Sequence, residues 1–218
     1  MKTKENVAAS STRHKKITFA DYFKMNIDAT ELAEKFNYAF TPEFHVFPRA
    51  AVAEKQVLFL RQQLEKGLPI VSLSNETARR EFLIAPVLLE VANETQVRIR
   101  VEYALHVSDE LQGTLDYFLK GQNSLLVVEA KNADLERGFV QLAAELIALD
   151  KSVTEPSDLL YGAISIGNIW QFGVLDRRKK LLIQDLNLFR APEDLKDLLG
   201  VLLAILKAKK KPLSPKNT

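Results

Sequence analysis

Apolar residues change their period along this chain, and each change marks an element. Ala53, Val57, Leu60 and Leu64 recur at helical spacing, which predicts a helix over about 50–66 stopped by Gly67 and Pro69. Upstream, Asp28 and Glu31 have the spacing of a capping box that opens a short helix near 29–38, and Pro42 and Pro48 bracket a loop. Ser74–Glu94 predicts a further helix, capped by Ser74 or Asn75, with Glu76 in the first turn where negative charge suits the helix dipole. Pro86 should kink or divide it, because proline lacks the N–H and its ring crowds the preceding turn.

From Val97 the period drops to two. Val97, Ile99, Val101, Tyr103 and Leu105 alternate with Arg98, Arg100, Glu102 and His106, a half-exposed strand over 97–107. After a turn at Ser108–Gly113, a second strand at Thr114–Leu119 places Leu115, Tyr117 and Leu119 on one face and Thr114, Asp116 and Phe118 on the other. A turn at Gly121–Asn123 leads to a third strand, Ser124–Lys131, apolar up to Val128 and so expected inside the sheet. Asp134–Leu149 is an amphipathic helix with Leu135, Phe139, Leu142, Leu146 and Leu149 on one face. Two strands follow, Tyr161–Leu175 and Lys180–Leu188, joined by a basic tip, and Pro192 opens a last leucine-rich helix over about 192–208. Strands joined by short turns are antiparallel, and the 134–149 helix can return the next strand in parallel. The order implies an α/β sandwich with a mixed sheet.

Composition narrows the chemistry. With 218 residues, 47% hydrophobic and 27% charged, the chain reads as one soluble globular domain of ordinary size. The absence of cysteine excludes disulfides, thiolate metal sites and cysteine nucleophiles, and fits a reducing compartment. No glycine-rich phosphate loop occurs, and His14, His45 and His106 lack metal-ligand spacing. No apolar leader is present and stretches such as Leu198–Leu206 are too short to span a bilayer, so the expected location is cytoplasmic, with no membrane partner. The net charge of +2 hides an asymmetry: residues 1–16 carry +4 and residues 207–218 carry +5, leaving −7 on the body. Both tails, 1–16 and the Lys-rich 209–218, are expected to be solvated and disordered.

The third strand ends in Glu129–Ala130–Lys131. Residues two apart share a strand face, so Glu129 and Lys131 emerge together from an apolar strand, where each needs a partner or ligand. If the strand before it pairs through a short turn, Asp116 neighbours Glu129. Two close carboxylates repel, and a hard divalent cation such as Mg²⁺ relieves that repulsion while accepting water and phosphate oxygens. A lysine beside them can position or deprotonate an attacking water.

Asp116, then Glu129–Ala130–Lys131, then a helix carrying Gln141 resembles the PD-(D/E)xK phosphodiesterase superfamily, the restriction-endonuclease-like fold. Asn75–Arg80 followed by Leu83–Leu88 is similar to the first core helix of its restriction-subunit N-terminal and Mrr-like branches. The resemblance covers about residues 74–150, and Leu115 stands where the superfamily has its proline. It implies a three-layer sandwich with a mixed central sheet over 73–208, preceded by a helical extension at 17–72 that the resemblance does not cover. It further implies a catalytic set of Asp116, Glu129, Lys131 and Gln141, with Glu76, Asp116 and Glu129 holding Mg²⁺, or Mn²⁺ in its place. Glu81 is the alternative helix carboxylate; it lies five positions from Glu76 on a different face, so the two are not expected to serve together.

The expected function is therefore a Mg²⁺-dependent nuclease acting on nucleic acid, with DNA as the first expectation and both the choice between DNA and RNA and a homodimer left open. The alternative is a nuclease-fold protein without activity that binds nucleic acid or protein, and a third reading is a structural subunit that dimerises along its last helix. Gln141 shares a helix face with Arg137 and Glu145, which is either solvated or part of the site. Arg177–Lys180 reads as an exposed turn before a phosphate contact, and Trp170 and Phe172 as core before a base-stacking platform. His45 reads as structural, and the mechanism does not need His106.

Overall fold

The computed structural model describes residues 16–121, 125–130, 134–152 and 157–207, with the backbone alone for 125–130. Apart from Lys16, both tails read from the sequence lie outside the described residues. The chain is an α/β protein, and the strands among the described residues form one mixed sheet of seven, in the order β1-β7-β6-β5-β4-β3-β2. The strands are β1 (Ala39–Glu43), β2 (Ile99–Ser108), β3 (Leu111–Lys120), β4 (Leu125–Ala130), β5 (Leu159–Ser165), β6 (Ile169–Asp176) and β7 (Leu181–Arg190). β2, β3 and β4 are antiparallel neighbours, as their short turns require. β5 returns parallel to β4 after the crossover helix α6 (Leu135–Ser152), and β1 is parallel to β7.

Helices cover both faces. On one lie α3 (Glu54–Gly67), α5 (Ala85–Thr95) and α7 (Leu195–Leu206), sharing a core with Tyr117, Trp170 and Phe172. On the other lie α1 (Phe19–Lys24), α2 (Ala29–Lys35) and α6, sharing a core with Leu115, Phe118 and Ile164. Residues 17–72 thus enter both helical layers and the sheet itself. The expected capping box forms: Glu31 N–H donates to Asp28 Oδ1 at 2.8 Å and Asp28 N–H to Glu31 Oε2 at 3.1 Å.

Three expectations change. The loop expected between Pro42 and Pro48 begins as a strand; Pro42 stands in the edge strand β1, where a missing N–H is tolerated. The run Tyr161–Leu175 is two strands, β5 and β6, because the chain reverses at 166–168, where Gly167 has φ +103°. The last helix, read as leucine-rich with a face that could be shared, buries its leucines inside the subunit.

Helix α6 is buried along Gly138–Asp150, gripped between the sheet and α1 and α2. It sits close because β5 offers a glycine beneath it: a Cβ at Gly162 would stand 2.6 Å from Leu142 Cδ1. Of the two readings of the face that carries Arg137, Gln141 and Glu145, the solvated one holds only at exposed Arg137. Gln141 is 3% exposed and Glu145 fully buried.

Candidate active site

Asn75 caps α4 (Glu76–Arg79), its Oδ1 accepting from Ala78 N–H at 2.8 Å. The helix then widens into a π turn over Arg80–Ile84 before continuing as α5. Pro86, at the start of α5, supplies no N–H, and the ladder reaches past the gap with Ala85 N–H donating to the Arg80 carbonyl. Proline therefore divides the helix as expected, and the residue at the break is Arg80. π turns in helices are frequent at functional sites.

Arg80 reaches the sheet. Its Nη1 donates to Glu102 Oε1 at 2.8 Å and stands 3.5 Å from Asp116 Oδ1. Its guanidinium lies over the Tyr117 ring, 5.6 Å from the centroid. Burial works against the charge on Arg80, yet the two carboxylates outweigh it and raise the pKa further. Tyr117 is also raised, chiefly by burial, with Arg80 opposing and the nearby Glu81 and Asp116 charges adding to the rise.

At this point both strands change sides, which overturns the simple alternation. Val97 and Ile99 pack in the α5 core, whereas Tyr103, Leu105 and Val107 pack in the α6 core, and Val101 is 53% exposed. Likewise Leu115 belongs to the α6 core, but Tyr117 and Leu119 belong to the α5 core. Between them Glu102 has φ +52°, a left-handed conformation costing about 1–3 kcal/mol for a residue with a side chain. Pairing runs Val101↔Tyr117 and Tyr103↔Leu115 on either side of Glu102 and Asp116. The sheet thus switches faces where its two carboxylates stand. Sequence alternation carries no signal for such a switch, because every side chain keeps its own character.

The β3–β4 ladder ends at Tyr117↔Val128, so Asp116 on one strand and Glu129 on the other follow directly. This is the backbone adjacency expected from the sequence. The Glu129 side chain and all of Lys131 lie outside the described residues. Across the sheet, the row continues Glu129↔Ile164↔Gln171↔Leu188. At about 4.8 Å per strand, Gln171 stands roughly 10 Å from Glu129 along the backbone. Gln171 and Leu188 line an open groove of about 830 Å³ beside the first turns of α6, with Gln184, Phe40 and Arg137.

Two further expected residues take separate places. Glu76 sits in the first turn of α4, half-buried, with Glu81 one turn on and closer to Tyr117. Gln141 donates from Nε2 to Glu145 Oε1 at 3.0 Å, while its Oε1 has no hydrogen-bond partner among the described residues.

The basic tip has a structural task. Asp150, at the end of α6, accepts from Arg177 Nε at 2.7 Å and also from Lys180 Nζ and Tyr38 Oη. Arg177 and Lys180 are therefore not a plain exposed turn; they anchor the β6–β7 hairpin to α6. His45 pairs with Glu43 and packs edge-on to Phe47, and Trp170 and Phe172 are buried core, as expected.

The residues suit a hard cation in one respect. A single cationic nitrogen, Arg80 Nη1, already touches both Glu102 and Asp116, so carboxylate oxygens converge on one positively charged point. Glu102 was absent from the sequence-based set because nothing in its strand pattern separates it from a solvent-facing charge. Among the described residues, no three His, Cys, Asp or Glu side chains converge as a metal site. The chain matches no protein-family profile, and no curated protein matches it.

Proposed function

We propose that the protein is a divalent-metal-dependent nuclease of the restriction-endonuclease-like fold, cutting phosphodiester bonds in DNA. One observation carries this reading: the β3–β4 ladder stops where Asp116 and Glu129 come next on adjoining strands, near the end of interior strand β4, and Lys131 follows Ala130 in the sequence. The order of helix, three antiparallel strands, crossover helix and parallel strand supports it.

Asp116 and Glu129 would hold Mg²⁺ or Mn²⁺, with a helix carboxylate, Glu76 or Glu81, as the further donor. Mg²⁺ takes one or two carboxylates and leaves positions for water and phosphate oxygens; when bound it offsets charge on the phosphate undergoing attack. Lys131 orients the attacking water and takes up or shields its developing charge. Gln141 positions its neighbours from within α6 through its bond to Glu145.

The test is cleavage of plasmid DNA with and without Mg²⁺. Lys131→Ala and Asp116→Ala should each lower the rate by about a hundredfold or more, the scale of losing a charge-stabilising group, with the fold retained. Robust cleavage by both variants excludes the proposal.

A second reading has an observation of its own. Arg80 already neutralises part of the Asp116 charge, an arrangement that also suits a nuclease-fold protein without activity, binding nucleic acid or protein. Mn²⁺ titration separates the two: the inactive reading expects no binding that depends on Asp116 and Glu129.

A further inference from the structure

Most arginines of this protein meet a carboxylate: Arg49, Arg80, Arg137, Arg177, Arg178 and Arg190 each do so. Arg98 and Arg100 meet none among the described residues, and both are exposed. The acids nearest them in the sequence are engaged elsewhere, Glu94 with Lys207 at 3.1 Å and Glu102 with Arg80 at 2.8 Å. The two arginines also share a direction. Val97 and Ile99 pack in the α5 core, so Arg98 and Arg100, which alternate with them, turn to the other face, about 7 Å apart along an extended chain. Arg100 is held there. Its guanidinium lies 5.2 Å from the centroid of the Tyr103 ring, and that ring stacks on Phe118 with centroids 4.9 Å apart and planes 26° apart. β2 is the last strand of the sheet, so none of the described strands covers its outer flank.

We infer that Arg98 and Arg100 form a phosphate-binding row on the edge strand β2 that takes hold of the backbone of a nucleic acid. The inference rests on the nucleic-acid reading above and deepens it, since it names residues that grip the substrate without any metal. A guanidinium fork matches two phosphate oxygens, and successive phosphates of one backbone supply the repeated charge that two aligned arginines can meet. The body of the protein carries −7, so a long polyanion is repelled over much of that surface and steered to where positive charge stands uncompensated. Arg100 stands two residues before Glu102 on the same strand, so a backbone lying along the row leads toward the break at Glu102 and Asp116. Charged side chains on an edge strand also discourage pairing with another sheet, and that simpler role predicts no contribution to nucleic-acid binding.

The experiment follows binding of a fluorescein-labelled DNA duplex of about 20 base pairs to the full chain by anisotropy, in EDTA and over a series of salt concentrations. The double variant Arg98→Gln with Arg100→Gln should bind about tenfold more weakly at about 50 mM salt. Its slope of log affinity against log salt should fall by about two, since each lost phosphate contact removes roughly 0.9. Arg98→Lys with Arg100→Lys should keep the slope and lose part of the affinity, because lysine keeps the charge without the fork. Arg178→Gln, at an exposed arginine of the β6–β7 turn, should stay within about twofold of the wild type. Should the glutamine double variant fail to fold, Arg98→Gln decides, with the Arg100–Tyr103 contact intact and a slope expected to fall by about one. Equal affinity and slope in the wild type and the glutamine variants, or no saturable binding by the wild type, overturns the row and leaves the nuclease reading to its own test. Displacement of the duplex by poly-glutamate as readily as by unlabelled DNA of equal charge overturns nucleic acid as the occupant and assigns the row to an acidic protein. Binding that depends on the row, in a protein that cuts no DNA in Mg²⁺, upholds the row and removes the nuclease reading.

Discussion

Asp116 and Asp150 each meet an arginine, yet the two carboxylates are set in opposite ways. Asp150 has both oxygens engaged, by Arg177 on one and by Tyr38 and Lys180 on the other, and its partners come from two separate parts of the chain, the residue before β1 and the β6–β7 turn. Such a centre is closed: every donor points inward, and the gain is a tied-down α6, hairpin and β1 entry. Asp116 stands at a break in the sheet with a 3.5 Å arginine contact, a strained glutamate across the strand pair, and Glu129 next along the neighbouring strand. That centre is rich in negative charge, and it sits where the sheet changes faces. The difference teaches that an aspartate–arginine pair says little alone. What separates a structural from a chemical carboxylate is whether its surroundings leave anything for a ligand to do.

The comparison can be broken from its structural side first. Asp150→Ala should cost about 2–3 kcal/mol of stability, because Tyr38 and Arg177 lose their shared buried acceptor while Lys180 can turn to solvent; urea unfolding measures it. Burial would raise the pKa of Asp150, but hydrogen bonds from Arg177, Lys180 and Tyr38 hold it below the usual carboxylate range. A depressed carboxylate contributes stability that is present above the unfolded-state pKa of about 4 and is lost as pH falls through the lower folded value. Urea midpoints should therefore drop on the acid side in the wild type, and less steeply in Asp150→Asn.

From the chemical side, Asp116→Asn should reverse the pattern. It should lose about a hundredfold or more in Mg²⁺-dependent cleavage while costing roughly 1 kcal/mol of stability, the scale of one charged hydrogen bond. A stability loss as large as that of Asp150→Ala, with cleavage intact, would make the two centres alike. Glu102→Val sharpens the contrast further: a β-branched residue at φ +52° should cost about 1–2 kcal/mol, whereas Glu102→Asn should be nearly neutral. The smallest effect is expected at the outer rim of the basic tip. Arg178 pairs with Asp158 at 2.6 Å but is 78% exposed, so Arg178→Ala should change stability by less than about 0.5 kcal/mol.

Particular residues explain what could be read from the sequence. The capping box at Asp28 and Glu31, the seam Val57, Leu60 and Leu64, and the interior place of β4 follow from local spacing and burial pattern, and the structure keeps all three. Adjacency of Asp116 and Glu129 followed from two strands and one short turn. The change of face at Glu102 and Asp116 was invisible, because alternation assumes an unbroken pleat. Burial of Gln141 and Glu145 was equally hidden, since it comes from α1 and α2, whose docking on α6 leaves no mark in the periodicity of α6 itself. Asp150 drew no attention, as its three partners are remote in sequence and only the fold brings them together.

The central claim is that Asp116 and Glu129 form a divalent-metal site for phosphodiester cleavage. The most direct measurement is a Mg²⁺ titration of plasmid nicking by the wild type and by Glu129→Gln, each with its unfolding midpoint recorded. The account predicts saturable, metal-dependent nicking by the wild type and a loss of about a hundredfold or more in a Glu129→Gln protein of unchanged stability. Metal-independent nicking, or equal nicking by both proteins, would contradict it.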